Sequence, residues 1–97
     1  RTLVILDSFH SHAHVMKELS LFQEFVGKGH YLICGDTIVE YIPEQKHRKR
    51  EWGHGNNPKT ALDEFLITNK RFLADKNIEN KLLLTCNPGG FLRAIED

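Results

Sequence analysis

The residues best suited to chemistry in this sequence are Asp7, Asp36 and His10, which follows Asp7 by three positions. Carboxylate oxygens are suitable ligands for Mg²⁺, Mn²⁺ or Ca²⁺, and an imidazole accepts a proton near neutral pH. Two carboxylates are few for a tight metal site, so substrate oxygens and water would have to complete the coordination. The simpler alternative is that Asp7 caps a helix and Asp36 caps a turn.

The histidine run leaves two geometries open. His10, His12 and His14 occupy alternate positions, so in an extended segment all three would share one face and could bind Zn²⁺. If a helix has already begun at Ser11, His10 and His14 share a face and His12 points away. The apolar helical pattern starts at Val15, which favours the second geometry. We therefore rank a general-base role for His10 above a zinc site in a small hydrolase.

Two strands and a helix are expected to position these side chains. The unbroken apolar run 3–6 is typical of a strand buried on both faces, and the run 31–34 predicts a second strand. Between them, apolar residues at helical spacing predict a helix that starts at 13 or 14 and reaches 26. Such a βαβ unit has parallel strands, so Asp7 and Asp36 should lie at the same edge of the sheet, where α/β proteins bind ligands.

The stretch 37–57 predicts a long loop, which in a small domain is usually functional. Its basic run, residues 46–50, is most simply a solvated segment. The functional alternative is a lid that carries cations toward an anionic group. Trp52 would then be either the anchor of that lid or a packing residue.

The rest of the chain predicts a helix and a hairpin. Asn57-Pro58 is a strong helix start, with Asn as N-cap and Pro at the first helical position. Residues 72–75 are expected to add a short strand. The apolar stretches 82–86 and 91–95 flank Asn87-Pro88-Gly89-Gly90, which predicts a C-terminal antiparallel hairpin.

Composition excludes several classes of protein. The 97 residues make one small domain or part of one, and 13 Lys+Arg against 13 Asp+Glu argue against a dedicated nucleic-acid binder. No apolar run approaches membrane-spanning length, and no dinucleotide-binding, phosphate-binding or nucleophile-elbow motif is present. Cys34 and Cys86 lie in apolar contexts and are expected to be buried thiols in a reducing cytoplasm.

Four segments, in order, resemble the cephalosporin hydroxylase family, whose members have the class I S-adenosylmethionine-dependent methyltransferase fold. The resemblance covers nearly the whole chain and is specific for the family rather than for the substrate. The segments are Val4-Ile5-Leu6-Asp7-Ser8-Phe9-His10-Ser11-His12-Ala13-His14-Val15, Gly35-Asp36-Thr37-Ile38-Val39, Trp52-Gly53-His54-Gly55-Asn56-Asn57-Pro58-Lys59-Thr60-Ala61 and Asn87-Pro88-Gly89-Gly90-Phe91-Leu92.

The resemblance implies a metal-assisted O-methyltransferase that acts on a hydroxyl of a sugar or another small molecule. Asp7 and Asp36 match acids that hold Mg²⁺, and His10 matches the base that deprotonates the acceptor. His14, Thr37 and Trp52 are further candidates for substrate or lid contacts. The methyl donor is S-adenosylmethionine, and a small-molecule acceptor is the expected partner.

Two departures from the family pattern shape the expectation. The family tends to have Glu before the second Asp, where this chain has Gly35. The glycine-rich turn that holds the methyl donor is absent, so residues 1–97 are expected to be one partial domain, the C-terminal half of a Rossmann-like fold. Such a fragment is expected to be inactive alone and to self-associate through an unpaired strand edge. The alternative is a non-catalytic remnant that serves as a binding module.

Overall fold

The computed structural model describes residues 2–42, 51–82 and 84–97, and within them it is a mixed α/β structure, as predicted. Short 3₁₀ turns follow α1 and β2, at Gln23–Phe25 and Thr37–Glu40. The elements in chain order are β1 (Val4–Leu6), α1 (His12–Phe22), β2 (Tyr31–Cys34), α2 (Pro58–Thr68), β3 (Phe72–Ala74), α3 (Lys76–Leu82) and β4 (Phe91–Ala94).

The strands form one four-stranded sheet in the order β1-β2-β4-β3. β1 and β2 are parallel, with Leu6 opposite Cys34, whereas β4 is antiparallel to both of its neighbours. The carboxyl ends of β1 and β2 therefore lie side by side. The predicted parallel βαβ unit is confirmed, and it brings the residues after Leu6 and after Cys34 to one edge of the sheet.

The prediction of a C-terminal hairpin between residues 82–86 and 91–95 was wrong, because β4 pairs with β3 and not with a strand at 82–86. The short strand expected at 72–75 is confirmed as β3, but the chain then forms α3 instead of running extended into 82–86. Asp75 starts this helix because its carboxylate accepts from the backbone N–H groups of Asn77 and Ile78, at 3.0 and 3.4 Å. β4 consequently inserts between β2 and β3 and pairs with both.

Helix α1 begins at His12 because Ser11 is its N-cap, with the Ser11 hydroxyl accepting from the backbone N–H of His14 at 3.3 Å. The helix was predicted to reach Val26 with a continuous apolar stripe. It ends instead at Phe22, and the tighter 3₁₀ turn that follows rotates the last side chains. Val26 is buried as predicted, whereas Phe22 and Phe25 are largely exposed.

Helix α2 begins as predicted, in a capping box. The fully buried Asn57 is the N-cap, and its side-chain oxygen accepts from the backbone N–H groups of Lys59 and Thr60. The Thr60 hydroxyl accepts in return from the backbone N–H of Asn57. Pro58 at the first helical position lacks the N–H that would otherwise need a partner.

The core lies between α1 and α2 and one face of the sheet. The opposite face leaves Ile5 and Leu73 more than half exposed. β1 was predicted to be buried on both faces, but only its Leu6 is fully in the core, since no described helix covers the second face. The core side chains are Leu6, Val15, Leu19, Val26, Leu32, Cys34, Ala61, Leu62, Phe65, Phe72, Leu92 and Ala94.

The two cysteines differ in environment. Cys34 is fully buried, as predicted, and its burial raises the pKa of the thiol to about 12. Cys86 is exposed, so the expectation of two buried thiols was wrong for this residue. Its segment was taken for a strand, and the loss of that strand leaves the side chain at the surface. None of the described helices has the length and apolar character needed to span a membrane.

Candidate functional site

Asp7, His10 and Asp36 converge at the carboxyl ends of β1 and β2. One ligand atom from each of the three side chains lies within 4.8 Å of the others, and within the described ranges this is the only group of three or more His, Cys, Asp or Glu side chains so arranged. Asp7 follows β1 directly, and Asp36 follows β2 after a single glycine. The sequence-based prediction that the two acids share one edge is therefore confirmed, with His10 between them as a third group.

His10 and Asp36 form the closest pair of the three. His10 Nε2 lies 2.8 Å from Asp36 Oδ2, with the histidine side chain 16% exposed and the aspartate 37% exposed. Asp36 adopts a left-handed backbone conformation (φ 54°), which glycine takes most readily and which asparagine and aspartate tolerate better than most other residues. Its backbone N–H donates to the side-chain oxygen of Asn87 at 2.7 Å. These contacts hold the carboxylate against the imidazole.

Gly35 is fixed against β1, at the point where β2 ends. Its backbone N–H donates to the Leu6 carbonyl at 2.9 Å. A Cβ atom added at Gly35 would lie 2.6 Å from that carbonyl oxygen, which is closer than real Cβ atoms approach backbone. As the strands lie, this position has no room for any side chain, and a third carboxylate cannot enter the site from here.

The segment 51–57 packs against the histidine loop. The Trp52 ring contacts those of Phe9 and His10 edge to face, with ring centroids 4.9 and 5.3 Å apart. The Asn56 side-chain oxygen accepts from the backbone N–H of His12 at 2.7 Å. Trp52 therefore lies beside the site and packs against the His10 ring, and its role as the anchor of a lid stays a prediction. The basic run 46–50, the candidate lid, lies outside the described residues.

His12 points away from the site, as the helical alternative predicted. Its two ring nitrogens contact two residues of α2: Nδ1 lies 2.8 Å from the Thr60 hydroxyl and Nε2 lies 2.5 Å from Glu64 Oε2. The side chain is 31% exposed and Glu64 is 56% exposed. His12 therefore ties α1 to α2.

His14 also lies apart from the group of three. It lies in the first turn of α1, and its Nε2 is 3.5 Å from Glu18 Oε1 and 3.2 Å from the Ser8 hydroxyl. The three alternate histidines thus pair with three different carboxylates, and they do not form the zinc site that an extended segment would have made. A role for His14 in substrate contact stays a prediction.

Thr37 and Asn87 support the loop that carries Asp36. Thr37 is fully buried and its hydroxyl donates to the Pro88 carbonyl at 2.7 Å. This position leaves it no surface for the substrate contact that we expected, and its structural role is to hold the second loop. Asn87 was read from the sequence only as part of a turn. Its bond to the Asp36 backbone depends on β4 lying next to β2, which no local signal indicates.

Comparison with known proteins identifies the family. A family model described as rhamnosyl O-methyltransferase/CmcI matches residues 1–95. Rhamnosyl O-methyltransferases of Mycobacterium bovis and Mycobacterium tuberculosis are 33% identical over 96 residues, which is 95% of this chain and 36% of each relative. The chain thus spans about a third of the length of the curated relatives that it matches. No solved structure matches it. The chain belongs to the rhamnosyl O-methyltransferase/CmcI family, as the resemblance in its sequence indicated.

Proposed function

We propose that this chain is the acceptor-side part of an S-adenosylmethionine-dependent O-methyltransferase that acts on a sugar hydroxyl. Membership of the family supports the reaction, and the names of the relatives, rhamnosyl O-methyltransferases, support a sugar acceptor. The observation that carries the proposal is the convergence of Asp7, His10 and Asp36 at the edge of the sheet where α/β proteins bind ligands.

Methyl transfer requires a base at this position. A bond forms between the acceptor oxygen and the methyl carbon while the bond from that carbon to the donor sulfur breaks, and the hydroxyl proton must leave. His10 takes that proton, because an imidazole is basic near neutral pH. The Asp36 carboxylate, 2.8 Å from Nε2, stabilises the imidazolium that results. Trp52 keeps the ring in place from the other side.

The two carboxylates suit a divalent cation, which the resemblance expects to be Mg²⁺. Asp7 and Asp36 are the residues that would hold it, with water and acceptor oxygens supplying the remaining ligands. When bound, such a cation lowers the pKa of the acceptor hydroxyl and orients it.

In this proposal the chain is one part of a Rossmann-like methyltransferase domain. The methyl donor binds mainly in the portion of the relatives that these 97 residues do not span, so we expect the isolated chain to be inactive. β1 lies at one edge of the sheet and pairs with β2 alone among the described strands. Self-association through that edge stays a prediction, as does a cytoplasmic location.

The test is a calorimetric titration of S-adenosylmethionine and Mg²⁺ into the longest natural form of this chain and into residues 1–97. We expect the long form to bind both and to methylate a rhamnosyl acceptor, and the short form to bind the metal alone. His10→Gln should lower the methylation rate of the long form at least about 100-fold, because a positioned general base contributes that much. Asp7→Asn should also lower the rate, because a metal ligand is lost. His30→Gln, at the amino end of β2 and therefore at the opposite edge of the sheet, is the matched control and should leave the rate unchanged. A long form that binds neither ligand contradicts the proposal.

A second candidate is a binding module that keeps the fold without catalysis. Gly35 favours it, because the position has lost an acid and has no room to regain one. Gly35→Glu is therefore a poor test of metal binding, since the substitution also disturbs the junction of β1 and β2. Sugar binding by the long form without any methyl transfer would instead support this candidate.

A further inference from the structure

The donor atoms at the sheet edge include a nitrogen as well as carboxylate oxygens. Mg²⁺ prefers six oxygen ligands, whereas the affinity of a site with an imidazole nitrogen rises from Mn²⁺ through Fe²⁺ to Co²⁺. Here the closest pair in the group joins a nitrogen, His10 Nε2, to an oxygen, Asp36 Oδ2. Gly35 offers no side-chain ligand at the end of β2, and the packing there leaves no room for one.

The spacing of the three side chains suits a single ion. Two ligand atoms that meet at a right angle on one metal, each about 2.1 Å from it, lie about 3 Å apart. His10 Nε2 and Asp36 Oδ2, at 2.8 Å, already have this separation. The Asp7 ligand atom lies within 4.8 Å of both, so a shift of one exposed side chain brings it into range.

The charges and hydrogen bonds agree with this assignment. Two carboxylates and a neutral imidazole balance the charge of one divalent ion. Within the described part of the chain, the Asp7 carboxylate makes no hydrogen bond or ion pair, so its oxygens are available. Asn87 holds the Asp36 backbone, so the carboxylate stays beside His10 Nε2, where one ion can contact both atoms.

We propose that Asp7, His10 and Asp36 form a three-ligand site that binds a divalent transition metal in preference to Mg²⁺, with His10 as the nitrogen ligand. The inference rests on the metal site of the proposed function and assigns it a different ion. It also implies that metal binding and the base role of His10 exclude each other, because a neutral imidazole has one free lone pair and a metal bound at Nε2 occupies it.

The test is to titrate Mg²⁺, Mn²⁺ and Co²⁺ separately into the chain and follow the fluorescence of Trp52, its only tryptophan. The Trp52 ring lies 5.3 Å from that of His10, close enough for a bound paramagnetic ion to quench it. We expect affinity to rise in the order Mg²⁺, Mn²⁺, Co²⁺, with Co²⁺ at least about tenfold tighter than Mg²⁺.

Variants assign the ligands. His10→Gln should weaken Co²⁺ binding at least about tenfold and change Mg²⁺ binding less than about threefold, because only the nitrogen ligand is lost. His14→Gln, a histidine of the same segment outside the group, should change neither. Unchanged Co²⁺ affinity in His10→Gln overturns the inference. If Asp7→Asn and Asp36→Asn then still weaken Mg²⁺ binding, the metal site of the proposed function stands; if they also change nothing, both fail.

A measurement on the unmodified chain avoids reliance on the folding of a variant. Pulsed electron paramagnetic resonance of the Mn²⁺-loaded chain detects nitrogen that is bound directly to the ion. We expect a single coordinated imidazole. A spectrum that shows oxygen ligands only, or the absence of Mn²⁺ binding, contradicts the proposed site.

Discussion

His10 and His12 lie two residues apart in the chain, and each pairs with a carboxylate, but the two pairs have different roles. His12 has both ring nitrogens occupied, by Thr60 and by Glu64, and it joins two helices. His10 contacts one carboxylate, and a second, Asp7, converges on the same point. The same residue type with the same kind of partner therefore makes a structural tie in one place and a candidate site in the other. The difference is a third group with unused ligand capacity.

The largest expected effect is a difference in reactivity between the two cysteines, one of which lies in the strand that leads to Asp36. Cys34 lies at the end of β2 beside Gly35, buried and with a pKa of about 12, whereas Cys86 is exposed. At pH 8 we expect a disulfide reagent to modify Cys86 at least about 100-fold faster than Cys34, because Cys34 reacts only after local opening. Mass spectrometry of partly modified protein distinguishes the two sites. Equal rates would show that the end of β2 is not packed as described.

Gly35→Ala should disturb the His10–Asp36 pair and leave the His12–Glu64 pair unchanged. The added Cβ would lie 2.6 Å from the Leu6 carbonyl oxygen, so we expect the free energy of unfolding to fall by about 1–3 kcal/mol. Urea denaturation measures the change. Gly27→Ala is the matched control, because its Cβ would meet no atom closer than 3.6 Å. Equal stability of the two variants would show that β1 can move away from Gly35 at little cost.

Paired substitutions at the two carboxylates should give opposite outcomes. Glu64→Gln is expected to lower the free energy of unfolding by about 0.5–1 kcal/mol and to leave metal binding intact, because the pair with His12 is partly exposed. Asp36→Asn should keep its stability, since asparagine tolerates the left-handed backbone of this residue. It should nevertheless weaken metal binding at least about tenfold. Loss of metal binding in Glu64→Gln would contradict a purely structural role for the His12–Glu64 pair.

The smallest effect is expected at a third side-chain pair, Tyr31 and Asp75, which includes neither histidine. The Tyr31 hydroxyl donates to Asp75 Oδ2 at 2.6 Å. This hydrogen bond raises the pKa of Tyr31 and lowers that of Asp75. The contribution of Asp75 to the free energy of unfolding is present above about pH 4 and is lost as the pH falls through its lowered pKa. The contribution of Tyr31 is present below about pH 10 and is lost as the pH rises through its raised pKa. Tyr31→Phe should flatten both slopes in the pH dependence of stability, and slopes equal to those of the unmodified chain would contradict this assignment.

The sequence predicted what depends on local pattern and on the βαβ rule. The parallel strands β1 and β2, the Asn57 N-cap and the convergence of Asp7 with Asp36 each follow from spacing and from residue type. His10 was chosen from the sequence for its closeness to Asp7, and its contact with Asp36 was not predicted, because the loop between β1 and α1 has no repeating pattern from which to place a side chain.

The features that were missed depend on contacts between distant segments. The insertion of β4 between β2 and β3 brings Asn87 to the backbone of Asp36, and neither segment carries a signal for the other. The strand expected at 82–86 was wrong because apolar side chains after a capping aspartate fit a short helix as well as a strand. Phe22 and Phe25 are exposed because the 3₁₀ turn breaks the regular α-helical spacing from which the apolar stripe was predicted.

The close approach of Gly35 to the Leu6 carbonyl has a consequence for how this site can evolve. A single substitution that would place an acid at position 35 must first overcome a steric conflict with the backbone of β1. A lineage with this packing therefore gains a carboxylate there only after a permissive change that moves β1 or its following loop. Adaptation of the site is more accessible through Asp7, whose neighbourhood is open, than through the end of β2.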